Sequence, residues 1–162
     1  MNDMTGGPTI QIDRVLSAPT AAQIAAGKAR IAVADGARQR CADAFERLEQ
    51  VVAENRHVYG VTTGFGPLAN RIVDARHAAE LQQNLVYHLA TGVGAPFDWE
   101  TARAIVLARI MTLVQGASGA RLDTLDRLVS VLNAGLAPAL PERGTVGASG
   151  DLTPLAHLVL CL

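Results

Sequence analysis

The sequence predicts a mainly α-helical fold with short strands near its amino terminus. Two observations carry this expectation. Apolar residues make up 49 % of the chain but aromatic residues only 4 %, so Ala, Leu and Val must fill the core, and Ala and Leu favour helices. Apolar positions also recur every three or four residues over several long segments, which is the spacing of one helix face.

The amino-terminal third combines short strands with two helices. Residues 9–13 alternate weakly between apolar and polar side chains, and residues 30–33 read Arg-Ile-Ala-Val, so each segment predicts a short strand. Ser17 is a suitable N-cap for a short helix that stops at Gly27. Apolar residues at helical spacing then predict a longer helix over residues 37–55.

Two glycine-rich loops separate the remaining helical patterns. Residues 57–70 and 135–150 break the helical period with several Gly and Pro residues. Three helices are predicted between these loops, over residues 77–91, 99–115 and 121–134. Asp98 is a suitable N-cap for the second of them. Thr153 as N-cap, followed by Pro154 at the first helical position, predicts a final helix.

Charge and cysteine content argue against several classes of function. The net charge is −1, with 14 basic and 15 acidic residues and no long run of Lys or Arg, so we expect no nucleic-acid partner and no membrane binding. Cys41 and Cys161 fit no metal-ligand spacing, and we interpret both as reduced, buried thiols of a cytoplasmic protein without a bound metal. No apolar run is long enough to cross a membrane, and no signal peptide is visible.

The last residues of the chain, 156–162, form an apolar helical pattern with no Gly and no polar last turn. Natural domains seldom end within such a helix, because a stop signal usually follows it. We therefore expect residues 1–162 to be the amino-terminal part of a longer chain.

The loop before the final helix contains a triplet that could form a reactive group. Residues 144–155 read GTVGASGDLTPL, with Ala148, Ser149 and Gly150 at the centre. In a sharply bent chain, the Gly150 amide nitrogen can attack the Ala148 carbonyl carbon and close a five-membered ring. Loss of water from this ring and from Ser149 leaves an alkene conjugated to a carbonyl, which is a strong electrophile. Gly150 has no Cβ to block the approach, and the positive end of the following helix would stabilise negative charge there.

A plain Gly/Ser turn before a capped helix is the alternative for this triplet. Ala-Ser-Gly triplets are common, and a second copy occurs at residues 117–119. The second copy lies between two helical patterns with no Pro-capped helix directly behind it, so we interpret it as an interhelix turn. On the triplet alone a turn is favoured, so the surrounding residues carry the argument.

The surrounding residues 144–157 read GTVGASGDLTPLAH, which resembles the signature of the histidine and aromatic amino acid ammonia-lyase family. The resemblance implies that Ala148, Ser149 and Gly150 cyclise autocatalytically to methylidene-imidazolone (MIO), with Ser149 supplying the methylidene group. No external cofactor is then needed. The resemblance further implies the N-terminal portion of a mainly α helical-bundle fold, and a homotetramer in which three subunits build each active site.

A second segment resembles the lid loop of the same family. Residues 56–70 read RHVYGVTTGFGPLAN, and the resemblance assigns the catalytic base to Tyr59 and a substrate contact to Gly66. The β-proton of an amino acid is barely acidic, so a base works only when it is held close in a site that excludes water. The glycines would let the loop close over substrate. The alternative for Tyr59 is an aromatic anchor that packs the loop.

A third segment indicates which substrate the protein prefers. Residues 84–92 read NLVYHLATG, and the tyrosine-specific bacterial members of the family have the His-Leu pair that stands here at His88 and Leu89. A histidine can hydrogen-bond a phenolic hydroxyl that an apolar pocket would leave unpaired. The alternative is a satisfied core histidine on a helix. Leu152, just after the triplet, is a further candidate for the aryl pocket, and a core leucine is its alternative.

Together the three segments predict that the full-length protein eliminates ammonia from the small aromatic substrate L-tyrosine to give trans-p-coumarate. Tyr59 would remove the β-proton and His88 would orient the phenol. Alternatives within the family are histidine or phenylalanine ammonia-lyase and an aromatic 2,3-aminomutase. An inert helical assembly module is the alternative from a different class, with residues 155–162 as its partner-binding surface. We expect residues 1–162 alone to be inactive, because the resemblance implies further pocket residues beyond Leu162.

Overall fold

The computed structural model describes residues 7–145 and 152–162, except for the side chains of residues 75, 76, 78 and 79. Its α-helices are α1 (Ala18–Ala25), α2 (Asp35–Ala53), α3 (Ala75–Leu89), α4 (Trp99–Leu113), α5 (Leu122–Asn133) and α6 (Leu152–Val159). Its strands are β1 (Thr9–Ile12), β2 (Arg30–Val33), β3 (Val93–Pro96) and β4 (Pro141–Arg143), and a 3-10 turn covers Gly66–Leu68. The predicted mainly α-helical fold with short amino-terminal strands is confirmed.

Local sequence signals mark the amino-terminal strands and the starts of α1 and α4, as predicted. The two amino-terminal strands are present and pair in parallel. Ser17 caps α1, because its Oγ accepts a hydrogen bond from the Thr20 N–H group at 3.3 Å. Asp98 caps α4 by accepting from the Thr101 N–H group at 2.9 Å and from the Thr101 hydroxyl at 2.7 Å. These two hydrogen bonds hold the pKa of the Asp98 carboxyl below its usual value. Both predicted N-caps are therefore confirmed.

Helix α4 lies at the centre of the hydrophobic core. It packs against both α1 and α5, and Val106 and Ile110 on this helix are fully buried. The buried apolar side chains of the described residues are Ala, Ile, Leu and Val, together with Cys41. The low aromatic content of the chain thus leads to a core of aliphatic side chains, as expected from the composition.

A buried cation joins two helix ends within this core. Arg103 of α4 has no exposed surface, and its guanidinium donates to the carbonyl oxygens of Ile24 (3.0 Å), Ala25 (2.8 Å) and Leu132 (2.7 Å). These carbonyls lie at the ends of α1 and α5, where helix dipoles carry partial negative charge. The guanidinium also lies 4.6 Å from the centroid of the Trp99 ring. Burial lowers the pKa of the Arg103 guanidinium, and nothing in the sequence analysis predicted this contact.

Polar side chains also form hydrogen bonds from α5 to β2 and to α2. Asn133 at the end of α5 both accepts from the Ile31 N–H group at 2.9 Å and donates to the Ile31 carbonyl at 2.8 Å, as a neighbouring strand would. Asp126 pairs with both terminal nitrogens of Arg38 on α2, at 2.6 and 2.9 Å. The Arg38 guanidinium holds the pKa of the Asp126 carboxyl below its usual value.

The antiparallel pair β3–β4 was not predicted. Val93 lies opposite Arg143 and Pro96 opposite Pro141, and the Phe97 N–H group continues the pairing by donating to the Leu140 carbonyl at 2.9 Å. The sequence predicts a loop over residues 135–150, which is wrong for β4. Both strands are short and rich in Gly or Pro, so their pairing depends on tertiary structure rather than on local propensity.

The structure confirms two of the smaller predictions and contradicts two others. Cys41 is buried as predicted, but Cys161 is exposed, so its interpretation as a buried thiol is wrong. Thr153 is not an N-cap, because α6 already begins at Leu152. Pro154 is tolerated within the first turn, where N–H groups have no intrahelical acceptor. The second Ala-Ser-Gly copy, residues 117–119, lies in the turn between α4 and α5 as predicted.

The described part of the chain contains neither a helix that could span a membrane nor a cluster of metal-binding side chains. None of the helices in these residues is long and apolar enough to cross a membrane. Residues 7–145 and 152–162 contain no group of three or more His, Cys, Asp or Glu side chains arranged to hold a metal ion.

Candidate active site

The predicted cofactor-forming residues Ala148, Ser149 and Gly150 lie outside the described residues, but both flanks of this segment are described. On the amino-terminal side, Gly144 directly follows β4. On the carboxyl-terminal side, α6 begins at Leu152, two residues after Gly150. The N–H groups of the first helical turn have no intrahelical partner, and the helix dipole is positive at this end.

The two flanks meet the end of α3 at a cluster that we call the glycine junction, formed by Gly92, Pro141, Gly144, Thr153 and His157. A Cβ atom on Gly144 would lie 2.6 Å from Thr153 Cγ2 and 3.0 Å from the Gly92 Cα. A Cβ on Gly92 would lie 2.9 Å from His157 Nε2 and 3.0 Å from Pro141 Cβ. The backbones therefore approach so closely that neither glycine leaves space for a side chain.

The substrate-selecting pair predicted from the sequence lies at the end of α3. His88 is exposed and Leu89 is half-buried, both in the last turn of the helix. Within this chain His88 is therefore not a buried core residue. Helix α3 packs against α6, and Leu152, at the start of α6, is 49 % exposed, so a core role for Leu152 is not seen within this chain.

The predicted base, Tyr59, is held by its own loop. Its phenolic oxygen accepts a hydrogen bond from the Gly66 N–H group at 3.1 Å, and its ring meets the Phe65 ring edge-on with centroids 6.2 Å apart. The side chain is nevertheless 64 % exposed, so it does not anchor the loop by burial. Gly66 has φ +54°, a conformation that side chains disfavour, which explains the glycine at the position that donates to the phenol.

Hydrogen bonds hold the rest of this loop in shape. The Thr63 side chain is buried and its Oγ1 accepts from the Gly60 N–H group at 3.2 Å. Thr63 also pairs with Ile72 in an isolated antiparallel bridge. Gln82 on α3 donates to the Gly60 carbonyl at 3.2 Å and so ties the loop to the helix that carries His88. Sequence reasoning missed Gln82, because its acceptor is a backbone carbonyl in a different segment.

The structure brings some of the predicted site residues together and leaves others apart. Tyr59 contacts Gly66 directly, and His88 and Leu89 lie on the helix to which this loop is tied. Among the described residues, no hydrogen bond joins Tyr59 to His88; the Tyr59 hydroxyl is instead paired with Gly66. A groove of about 490 Å³ lies between α4, β4 and the start of α6, and none of these predicted residues lines it.

His157 gains a specific partner that the sequence did not indicate. The sequence offers only a histidine at the end of a motif, and the structure places its Nε2 3.0 Å from the Gly92 nitrogen, which donates to it. This contact links α6 to the chain just after His88 and Leu89.

The chain is similar in sequence to a family of enzymes that act on amino acids. The family model described as aromatic amino acid lyase matches residues 16–162. The chain is 57 % identical over 155 residues to a tyrosine ammonia-lyase from Cereibacter sphaeroides, covering 96 % of this chain and 30 % of that protein. It is 43 % identical over 153 residues to a histidine ammonia-lyase from Symbiobacterium thermophilum, covering 94 % of this chain and 30 % of that protein.

A solved structure supports the same relationship. The tyrosine aminomutase from Streptomyces globisporus superposes with a TM-score of 0.85 at 37 % identity, covering 93 % of this chain and 28 % of that one. The chain spans 30 % of the length of the two curated relatives described above. With a family match over nearly its whole length, the chain belongs to the aromatic amino acid lyase family.

Proposed function

We propose that residues 1–162 are the amino-terminal part of a longer protein, and that this full-length protein releases ammonia from L-tyrosine and produces trans-p-coumarate. The observation that carries this proposal is the exposed His88, followed by Leu89, at the end of α3. Its imidazole is available to hydrogen-bond a phenolic hydroxyl, which a purely apolar pocket would leave unpaired. The 57 % identity to a tyrosine ammonia-lyase supports the same substrate.

The proposed cofactor is MIO formed from Ala148, Ser149 and Gly150. When present, this group supplies an electrophile that turns the substrate amine into a leaving group. Two features of the described flanks support this proposal. Gly144 packs its backbone where a Cβ would collide with Thr153, and the positive end of α6 begins two residues after Gly150.

Tyr59 is the proposed base for the β-proton. Because its oxygen accepts the hydrogen bond from the Gly66 N–H group, the phenol is held in one orientation before substrate arrives. The tie from Gln82 to Gly60 fixes the loop relative to α3. Holding base and substrate in fixed relative positions removes much of the entropic cost of proton transfer.

His88, Leu89 and Leu152 are the proposed aryl-pocket residues, with Gly66 as a further substrate contact. His88 orients the phenol, while the two leucines provide apolar surface. A homotetrameric assembly completes each site in this proposal. Cytoplasmic location and the absence of nucleic-acid and membrane partners stay predictions.

An aromatic 2,3-aminomutase is the second candidate function. The observation that favours it is the structural match to the tyrosine aminomutase, at 37 % identity. Such an enzyme would use the same residues for elimination and then return the ammonia to the neighbouring carbon. The two functions therefore differ in their products rather than in the residues of this chain.

The test uses the full-length protein and measures ammonia release from L-tyrosine, L-phenylalanine and L-histidine in parallel. Fastest release from L-tyrosine, lost in Ser149→Ala, is the expected result. Release mainly from histidine or phenylalanine would overturn the substrate assignment and keep the cofactor. Undiminished release by Ser149→Ala would overturn the cofactor assignment itself.

A further inference from the structure

The chain that leaves the end of α3 donates a backbone hydrogen bond to His157. The Ala90 N–H group donates to Val86 and the Thr91 N–H group to Leu89, both within the end of α3. The next N–H group along the chain, that of Gly92, leaves the helix and donates to His157 Nε2 at 3.0 Å. An accepting Nε2 requires that the imidazole carry its proton on Nδ1.

Packing around this hydrogen bond is tight. The half-buried His157 ring and the Pro141 ring both lie within 3.1 Å of where a Gly92 Cβ would be. A Cβ atom on Gly144 would in turn lie 3.0 Å from the Gly92 Cα. The end of α3, the end of β4 and helix α6 are therefore in mutual contact at the glycine junction, and His157 makes its side-chain hydrogen bond there.

We propose that His157 is a positioning residue that holds the substrate-selecting end of α3 against the helix that follows the cofactor triplet. The inference rests on the proposed function. His88 and Leu89 stand four and three residues before Gly92, and Ser149 stands eight residues before His157. One hydrogen bond thus links the chain that follows the proposed substrate-selecting pair to the helix that follows the proposed cofactor triplet.

Loss of this hydrogen bond should change the alignment of the substrate rather than the formation of the cofactor. Without the acceptor, the Gly92 N–H group loses its partner and the end of α3 is free to shift relative to α6. A shift of this kind misplaces the substrate amine and the phenol together. Misplacement of reacting groups by about 1 Å can cost roughly 100-fold in rate, so a smaller shift should lower kcat measurably and weaken discrimination between tyrosine and phenylalanine.

The test compares His157→Gln, whose amide oxygen can accept the hydrogen bond, with His157→Leu, which cannot. His77→Gln, at an exposed histidine near the start of α3, is the matched control. All are made in the full-length protein. Intact mass reports cofactor formation as the loss of two waters, and kcat and KM are measured for both L-tyrosine and L-phenylalanine.

We expect His157→Leu to keep the cofactor mass, to lose about 10-fold or more in kcat for tyrosine and to discriminate less between the substrates. We expect His157→Gln to stay within about 3-fold of wild type. Wild-type kcat and discrimination in His157→Leu would overturn the proposal, as would an equal loss in the Gln and Leu variants.

If His157→Leu does not fold, Gly92→Ala provides the second variant. Its Cβ would meet Nε2 at 2.9 Å and should lengthen the hydrogen bond, with the same loss of kcat and discrimination. Unchanged kinetics in Gly92→Ala would overturn the positioning role. Failure of the wild-type protein to release ammonia would instead overturn the proposed function, so the two failures are distinguishable.

Discussion

Replacement of Arg103 should destabilise the chain strongly, because this side chain satisfies the ends of two helices. Arg103→Met keeps the apolar stem and removes the three hydrogen bonds of 3.0 Å or less to Ile24, Ala25 and Leu132. A hydrogen bond to a charged group contributes about 1.5–3 kcal/mol. Relief from burying the charge offsets part of that loss. We therefore expect the free energy of unfolding to fall by about 3 kcal/mol.

The measurement is urea denaturation followed by tryptophan fluorescence of residues 1–162. Trp99 is the one tryptophan in this chain, and its ring stacks on the Arg103 guanidinium, so it reports directly on this region. Arg109→Met, at a half-buried arginine on the same helix, is the matched control and should cost less than about 1 kcal/mol. A loss below about 1 kcal/mol in Arg103→Met would refute the reasoning from satisfied carbonyls.

Three further changes have defined outcomes. Asn133→Ala removes both hydrogen bonds to the β2 backbone and should cost about 2 kcal/mol in urea denaturation; no change would mean that water replaces the amide. Since Arg38 lowers the folded-state pKa of Asp126, the pair stabilises the fold fully above the unfolded pKa, about 3.9, and this stabilisation is lost as pH falls through the lower folded pKa. Asp126→Asn should therefore be less sensitive to acid below about pH 4, and an unchanged acid profile would contradict the assignment. His88→Phe in the full-length protein should shift the ratio of kcat/KM from tyrosine towards phenylalanine, and an unmoved ratio would remove His88 as the selector.

The elements that could be predicted from the sequence are those with local signals. Ser17 and Asp98 mark helix starts because an N-cap acts within three residues. The pairing of β3 with β4 could not be predicted, since short Gly- and Pro-containing strands become strands only when a distant partner is present. Arg103 was missed for a similar reason, because its acceptors are backbone carbonyls that any residue type would supply.

The candidate site likewise contains residues that the sequence predicts and contacts that it does not. Tyr59 and His88 were assigned because they stand in long motifs that resemble those of a known family. The partner of Tyr59, the Gly66 N–H group, and the partner of His157, the Gly92 N–H group, are main-chain groups. Main-chain donors carry no residue-type signal, so only the three-dimensional structure identifies them.

Product analysis of the full-length protein with L-tyrosine tests the central claim most directly. Chromatography should detect trans-p-coumarate together with an equal amount of ammonia, and neither product should form with Ser149→Ala. Accumulation of β-tyrosine without free ammonia would contradict the lyase assignment in favour of the aminomutase, and the absence of any product from L-tyrosine would contradict the substrate.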